Sequence, residues 1–130
     1  MGGTLTHLQQ HERQAVAEFC RRLVQLDGVR PTRAWLFGSK ARGGFDPDSD
    51  IDILVVLERA DWKQKEKIRL TDSRVSLEYD VLLNVHILSQ ERWEEMACHQ
   101  ATLWREIQRD GVGLLPEPDH APVPESMNRL

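Results

Sequence analysis

Gly38-Ser39 and Asp50-Ile51-Asp52, separated by ten residues, are the side chains whose types and spacing point to chemistry. Each group sits at the end of an apolar run: Ala34-Trp35-Leu36-Phe37 leads into the first, and Ile53-Leu54-Val55-Val56-Leu57 leaves the second. Both runs read as short buried strands. Side chains alternate along a strand, so Asp50 and Asp52 share one face while Ile51, Ile53, Val55 and Leu57 share the other. Carboxylates at i and i+2, roughly 7 Å apart by strand rise, can converge on one or two hard cations bound to phosphate oxygens. A Gly-Ser turn opening a helix adds a hydroxyl and backbone N–H groups aimed at an anion. Two competing motifs fail on spacing. Asp46, Asp48, Asp50 and Asp52 alternate like the start of a calcium loop, but Ile51 and Leu57 stand where that loop needs Gly and Glu. No Gly-x-x-x-x-Gly-Lys-Ser/Thr run exists, which removes a P-loop. An ordinary turn and an ordinary solvent-facing acidic pair are each common; their conjunction is not.

Leu36-Phe37-Gly38-Ser39-Lys40-Ala41-Arg42-Gly43 followed by Ser49-Asp50-Ile51-Asp52-Ile53-Leu54-Val55 resembles the minimal nucleotidyltransferases of the DNA polymerase beta superfamily. That family's signature is a strand, Gly-Ser, about ten residues and Asp-x-Asp in a second strand, and the resemblance spans about Leu5 to Leu115. It implies a nucleotidyltransferase domain over residues 1–115. The fold it implies is α/β (α+β), with a small mixed sheet, helices mainly on one face and the active-site cleft on the other. It further implies ATP as substrate and Mg²⁺ or Mn²⁺ held by Asp50 and Asp52, with Gly38 and Ser39 cradling phosphate. Lys40 and Arg42 are further phosphate-binding candidates; Arg42 either reaches a phosphate or pairs with Asp46 or Asp48. Gly43-Gly44 ends the short helix.

A third strand, Val81 to Leu88, alternates Val81, Leu83, Val85 and Ile87 against Leu82, Asn84, His86 and Leu88. Active superfamily members usually place a third carboxylate on this strand. Asn84 stands at the matching position, and an amide oxygen can ligate a cation but brings no charge. His86 lies two residues on, as a base, a ligand for a softer metal, or a bystander. Glu78 and Asp80 fall on the same alternation if the strand begins earlier.

The remaining elements follow from periodicity. Leu8, Ala15, Phe19, Leu23 and Leu26 predict a first helix over about Leu5 to Asp27, stopped by Gly28 before Pro31. Asp61 is placed to cap a lysine-rich helix running to about Leu77, with Trp62, Ile68 and Leu70 expected on its apolar side. Ser89 is expected to cap a helix carrying Trp93 and Met96, and Thr102 one carrying Leu103, Trp104 and Ile107, closed by Gly111. Four of the six prolines fall in residues 116–130, which predicts a disordered tail.

A chain of 130 residues with 40% apolar content can bury one core. Its net charge of -4 argues against nucleic-acid binding through a basic surface. Cys20 and Cys98 form no disulfide or zinc pattern and are expected as buried, reduced thiols. With no membrane-length apolar stretch, and no signal-peptide core after Met1-Gly2-Gly3-Thr4, the cytoplasm is the expected location. Two functions from different classes follow. One is transfer of AMP from ATP to a hydroxyl of a protein; the resemblance implies a HEPN-type toxin as acceptor and hence an antitoxin. The other is a weakened or inactive transferase fold that neutralises its partner by contact. An aminoglycoside-modifying transferase is a weaker third reading, and homo-oligomerisation stays open.

Overall fold

The computed structural model describes residues 8–43 and 50–115; the predicted tail, Asp46, Asp48 and Gly44 lie outside the described residues. In chain order the elements are α1 (Gln10–Leu23), β1 (Pro31–Phe37), α2 (Ser39–Arg42), β2 (Ile51–Leu57), α3 (Trp62–Tyr79), β3 (Leu83–Ser89), α4 (Gln90–Cys98), α5 (Thr102–Asp110) and β4 (Val112–Gly113). The strands form one mixed sheet in the order β3-β2-β1-β4. β1 runs antiparallel to β2 and β4, and β2 runs parallel to β3, with α3 as the crossover.

Burial on both sheet faces explains why β2 reads as an unbroken apolar run. On one face Ile53, Val55 and Leu57 pack with Phe19 and Leu23 of α1 and Ile68 and Val75 of α3. On the other, Leu54 and Val56 pack with Trp93 of α4 and Ile107 of α5, and the Trp93 ring tilts against Trp35 with centroids 4.9 Å apart. The two longest helices thus cover one face in full, whereas two nine-residue helices cover only part of the second. The uncovered part, at the start of β2, is where the polar residues collect.

Local signals located several helix starts. Asp61 caps α3, accepting from the Gln64 N–H at 2.9 Å, and Ser89 caps α4, accepting from the Arg92 N–H at 3.1 Å. Other expectations need correction. α1 begins and ends several residues inside the predicted limits, because the chain leaves the helix at Val24 and turns through Leu26 before Gly28. Trp62 and Leu70 are 68% and 52% exposed; the buried stripe of α3 is Ile68, Thr71 and Val75. Thr102 is the first residue of α5 rather than its cap, which is Ala101 and offers no side-chain acceptor. Cys98 is exposed, whereas burial around Cys20 pushes its thiol up to about 11. β4, only two residues long, had no detectable sequence pattern. No helix among the described residues is long and apolar enough to cross a membrane.

Candidate active site

Antiparallel pairing places Phe37, the last residue of β1, opposite Asp52 near the start of β2, while parallel pairing places Asn84 of β3 opposite Asp52 on its other side. One end of three adjacent strands therefore gathers Gly38, Asp52 and Asn84. Asp50 stands half-buried one residue before β2. The Asp52 carboxylate remains 24% exposed, and its Oδ1 accepts a 3.0 Å hydrogen bond from the Asn84 amide nitrogen. His86, in register with Leu54, falls on the same face. Its Nε2 lies 3.9 Å from Asp52 Oδ1, and its ring leans on Phe37 with centroids 5.3 Å apart.

Gly38 is required here for two reasons. Its φ of 79° is one that side-chain-bearing residues rarely adopt, and a Cβ at this position would run into Asp52 Oδ2 and approach Asp52 Cγ to 3.2 Å. The missing side chain is what lets the Gly-Ser backbone press against the carboxylate. α2 then opens at Ser39, with the Gly38 carbonyl accepting from the Ala41 and Arg42 N–H groups, and closes at Gly43 in the left-handed region with φ of 91°.

The flanking cations divide. Arg42 projects from α2 to the Glu106 carboxylate of α5 at 3.1 Å and is 44% exposed, so it stays at the rim. Lys40, expected among the phosphate ligands, is instead buried, with its ammonium 2.8 Å from Glu12 of α1. Glu12 also accepts from the Gln9 N–H at 2.8 Å, closing the capping box of α1. Burial pushes the Glu12 carboxyl up, but the hydrogen bonds from Lys40 and Gln9 and the Lys40 charge outweigh it and hold it below the usual range. Glu12 was missed in the sequence although a signal was there: it is a carboxylate in register with Ala15, Val16 and Phe19 on an apolar stripe. Glu78 and Asp80 do not join the site. Glu78 lies in α3 and pairs with Arg22 at 2.7 Å, and Asp80 is the left-handed C-cap of α3.

Among the described residues no three His, Cys, Asp or Glu side chains converge as a ready-made metal cage. The donor set nevertheless suits a hard dication bound together with substrate. Mg²⁺ keeps several waters and takes one or two carboxylates plus phosphate oxygens, and Asp50 and Asp52 are the carboxylates that could hold one here.

Residues 14–107 match the nucleotidyltransferase domain family. The chain belongs to that family. A Methanocaldococcus jannaschii protein to which protein adenylyltransferase activity is ascribed is 38% identical over 72 residues, covering 55% of this chain and 73% of the relative. Two solved toxin–antitoxin complexes share the nucleotidyltransferase fold. One, with AMP-PNP, superposes with a TM-score of 0.52 at 16% identity, over 85% of this chain and 77% of that one. The other, a double Asp-to-Glu mutant of the MntA–HpeT complex, gives 0.51 at 15% identity, over 79% and 75%.

Proposed function

We propose that this nucleotidyltransferase-family protein transfers AMP from ATP to a hydroxyl of a partner protein, a HEPN-type toxin, and so acts as an antitoxin. The observation that carries the reading is the meeting of the Gly38-Ser39 turn with Asp52 at one end of the sheet, with the backbone held against the carboxylate by the missing Cβ. Attack of a hydroxyl on an α-phosphate needs positioning and charge neutralisation more than covalent help from the protein. Divalent cations, when bound, neutralise triphosphate charge and orient the leaving pyrophosphate. Asp50 and Asp52 would hold them. The Gly38-Ser39 turn seats the phosphates, Asn84 orients Asp52 through its amide, and Arg42, which pairs with Glu106, would meet the triphosphate on leaving that partner. The M. jannaschii relative supports AMP and a protein acceptor, and the toxin–antitoxin neighbours support a toxin as the partner; the HEPN class of that toxin comes from the resemblance of the motif. The test is incubation with labelled ATP, a divalent cation and a candidate HEPN partner. Label is expected on the partner, and Asp52→Asn should abolish it without lowering the melting temperature. Neutralisation of the partner with no label transferred supports the second reading, a contact-only antitoxin, which the amide at position 84 in place of a carboxylate favours.

A further inference from the structure

α3 carries a second apolar stripe, on the side of the helix away from the core. Ile68, Thr71 and Val75 face inward and are buried. Trp62, Leu70 and Leu77 are 68%, 52% and 83% exposed, and they are three of the five large apolar side chains so exposed among the described residues. At 3.6 residues per turn these three fall within about 80° of one another, on the side of the helix opposite the buried stripe. Apolar side chains scattered singly over a surface are ordinary, whereas three aligned on one helix face mark a docking surface. We propose that this stripe is the contact of a two-fold dimer, in which α3 of one copy packs antiparallel against α3 of a second.

Spacing, charge and location each favour a second copy as the occupant. Leu70 lies midway between Trp62 and Leu77, so a two-fold axis at Leu70 sets Trp62 of one copy beside Leu77 of the other and Leu70 against itself. The same axis brings Glu66, four residues before Leu70, opposite Arg74, four residues after it, and both are exposed. From Lys63 to Arg69 the helix carries four basic side chains and one acid; from Asp72 to its C-cap Asp80 it carries three acids and one base. Antiparallel pairing lays each half on its complement and opposes the helix dipoles, whereas parallel pairing would stack lysine on lysine. Location argues against the acceptor of the transfer reaction. α3 covers the sheet face of Ile53, Val55 and Leu57, while Asp52 alternates onto the other face with Leu54 and Val56. A dimer through α3 therefore leaves both candidate sites turned outward. One pair of 18-residue helices, each about 27 Å long, falls short of the roughly 1,200 Å² at which firm complexes begin. The expected state is a concentration-dependent equilibrium between monomer and dimer.

The dimer stands or falls apart from the nucleotidyltransferase reading, because its test reads mass rather than transfer. Sedimentation velocity of the full chain at rising concentration should show a shift from monomer to dimer, and the dissociation constant should grow as salt screens the paired charges. Leu70→Glu and Leu70→Lys each set like charges across the axis and should weaken self-association by about tenfold or more. An equimolar mixture of the two variants should restore it, since opposite charges then meet at the axis. Position 70 is exposed, so both variants should melt with the dilute wild type. Leu77→Ser, at a position 83% exposed, should also weaken the dimer and gives a reading that does not depend on either Leu70 variant folding. A chain that stays monomeric throughout, or a dimer indifferent to substitution at Leu70 and Leu77, overturns the proposal. A monomeric chain whose stripe variants lose binding to a HEPN toxin, or to vesicles of phosphatidylserine and phosphatidylcholine, overturns it too and assigns the stripe to that partner.

Discussion

At the residue scale, Asn84 decides how the site differs from a three-carboxylate transferase. Its amide forms a hydrogen bond to Asp52 where an aspartate would face another carboxylate at a comparable distance. Two carboxylates that close cannot both ionise cheaply without a cation between them, and one pKa rises. Asn84→Asp is therefore expected to lower the melting temperature in EDTA and to show a larger Mg²⁺-dependent rise than the wild type. If the substituted side chain also ligates, transfer should quicken, by up to about 10²-fold on analogy with a single transition-state donor. Thermal melts with and without Mg²⁺ check the first claim, and an unchanged melt in EDTA would refute it. Gly38→Ala tests the other side of the same contact. The left-handed backbone costs a side-chain-bearing residue about 1–3 kcal/mol, and its Cβ would displace the Asp52 carboxylate. Stability and nucleotide binding should fall together; a variant that melts early yet binds nucleotide normally would show that the close approach serves only the fold.

At the element scale, the four-residue α2 is too short to hold its own position, and Lys40 buried against Glu12 ties it to the fourteen-residue α1. Removing one partner of a buried pair costs about 3–5 kcal/mol, because a charge is left without compensation. The pH dependence has a definite sign. The Glu12 carboxyl is held below its usual range, so its contribution is fully present above the unfolded value and is lost as pH falls through the lowered folded value. Glu12→Gln should melt well below the wild type near neutrality, with the gap closing in acid as the wild-type carboxylate protonates. A gap that stays constant from neutral to acid pH would show that shape, not charge, makes the contact. What could be read from the sequence follows the same division between local and long-range causes. The caps at Asp61 and Ser89 and the alternation of β3 depend on residues a few positions apart, and all were legible. The meeting of Glu12 with Lys40, and the two-residue β4, depend on partners the sequence does not name. The exposure of Trp62 and Leu70 likewise depends on which stripe of α3 meets α1, and only the packed helix pair decides that. In the site, Gly38, Ser39, Asp50 and Asp52 were visible as a motif, whereas the donor role of Asn84 required the register of β2 against β3.

At the scale of the whole molecule, the charge balance works against the substrate. The chain carries 21 acidic and 17 basic side chains, a net of -4, and the flanking cations Lys40 and Arg42 are engaged by Glu12 and Glu106. A polyanionic triphosphate approaching Asp50 and Asp52 without a divalent cation meets a field of its own sign. Salt then acts in an unusual direction. The Debye length shrinks from about 30 Å at 0.01 M to about 8 Å at 0.15 M, so added salt screens repulsion and should strengthen metal-free ATP binding. With Mg²⁺ the nucleotide loses much of its charge, and affinity should be higher and nearly indifferent to salt. Calorimetric titrations of ATP in EDTA and in Mg²⁺ at two salt concentrations test this directly. Metal-free affinity that falls as salt rises would mean that arginine and lysine side chains, not the Asp pair, dominate the local field, and the carboxylates would then lose their place as the groups that make the cation necessary.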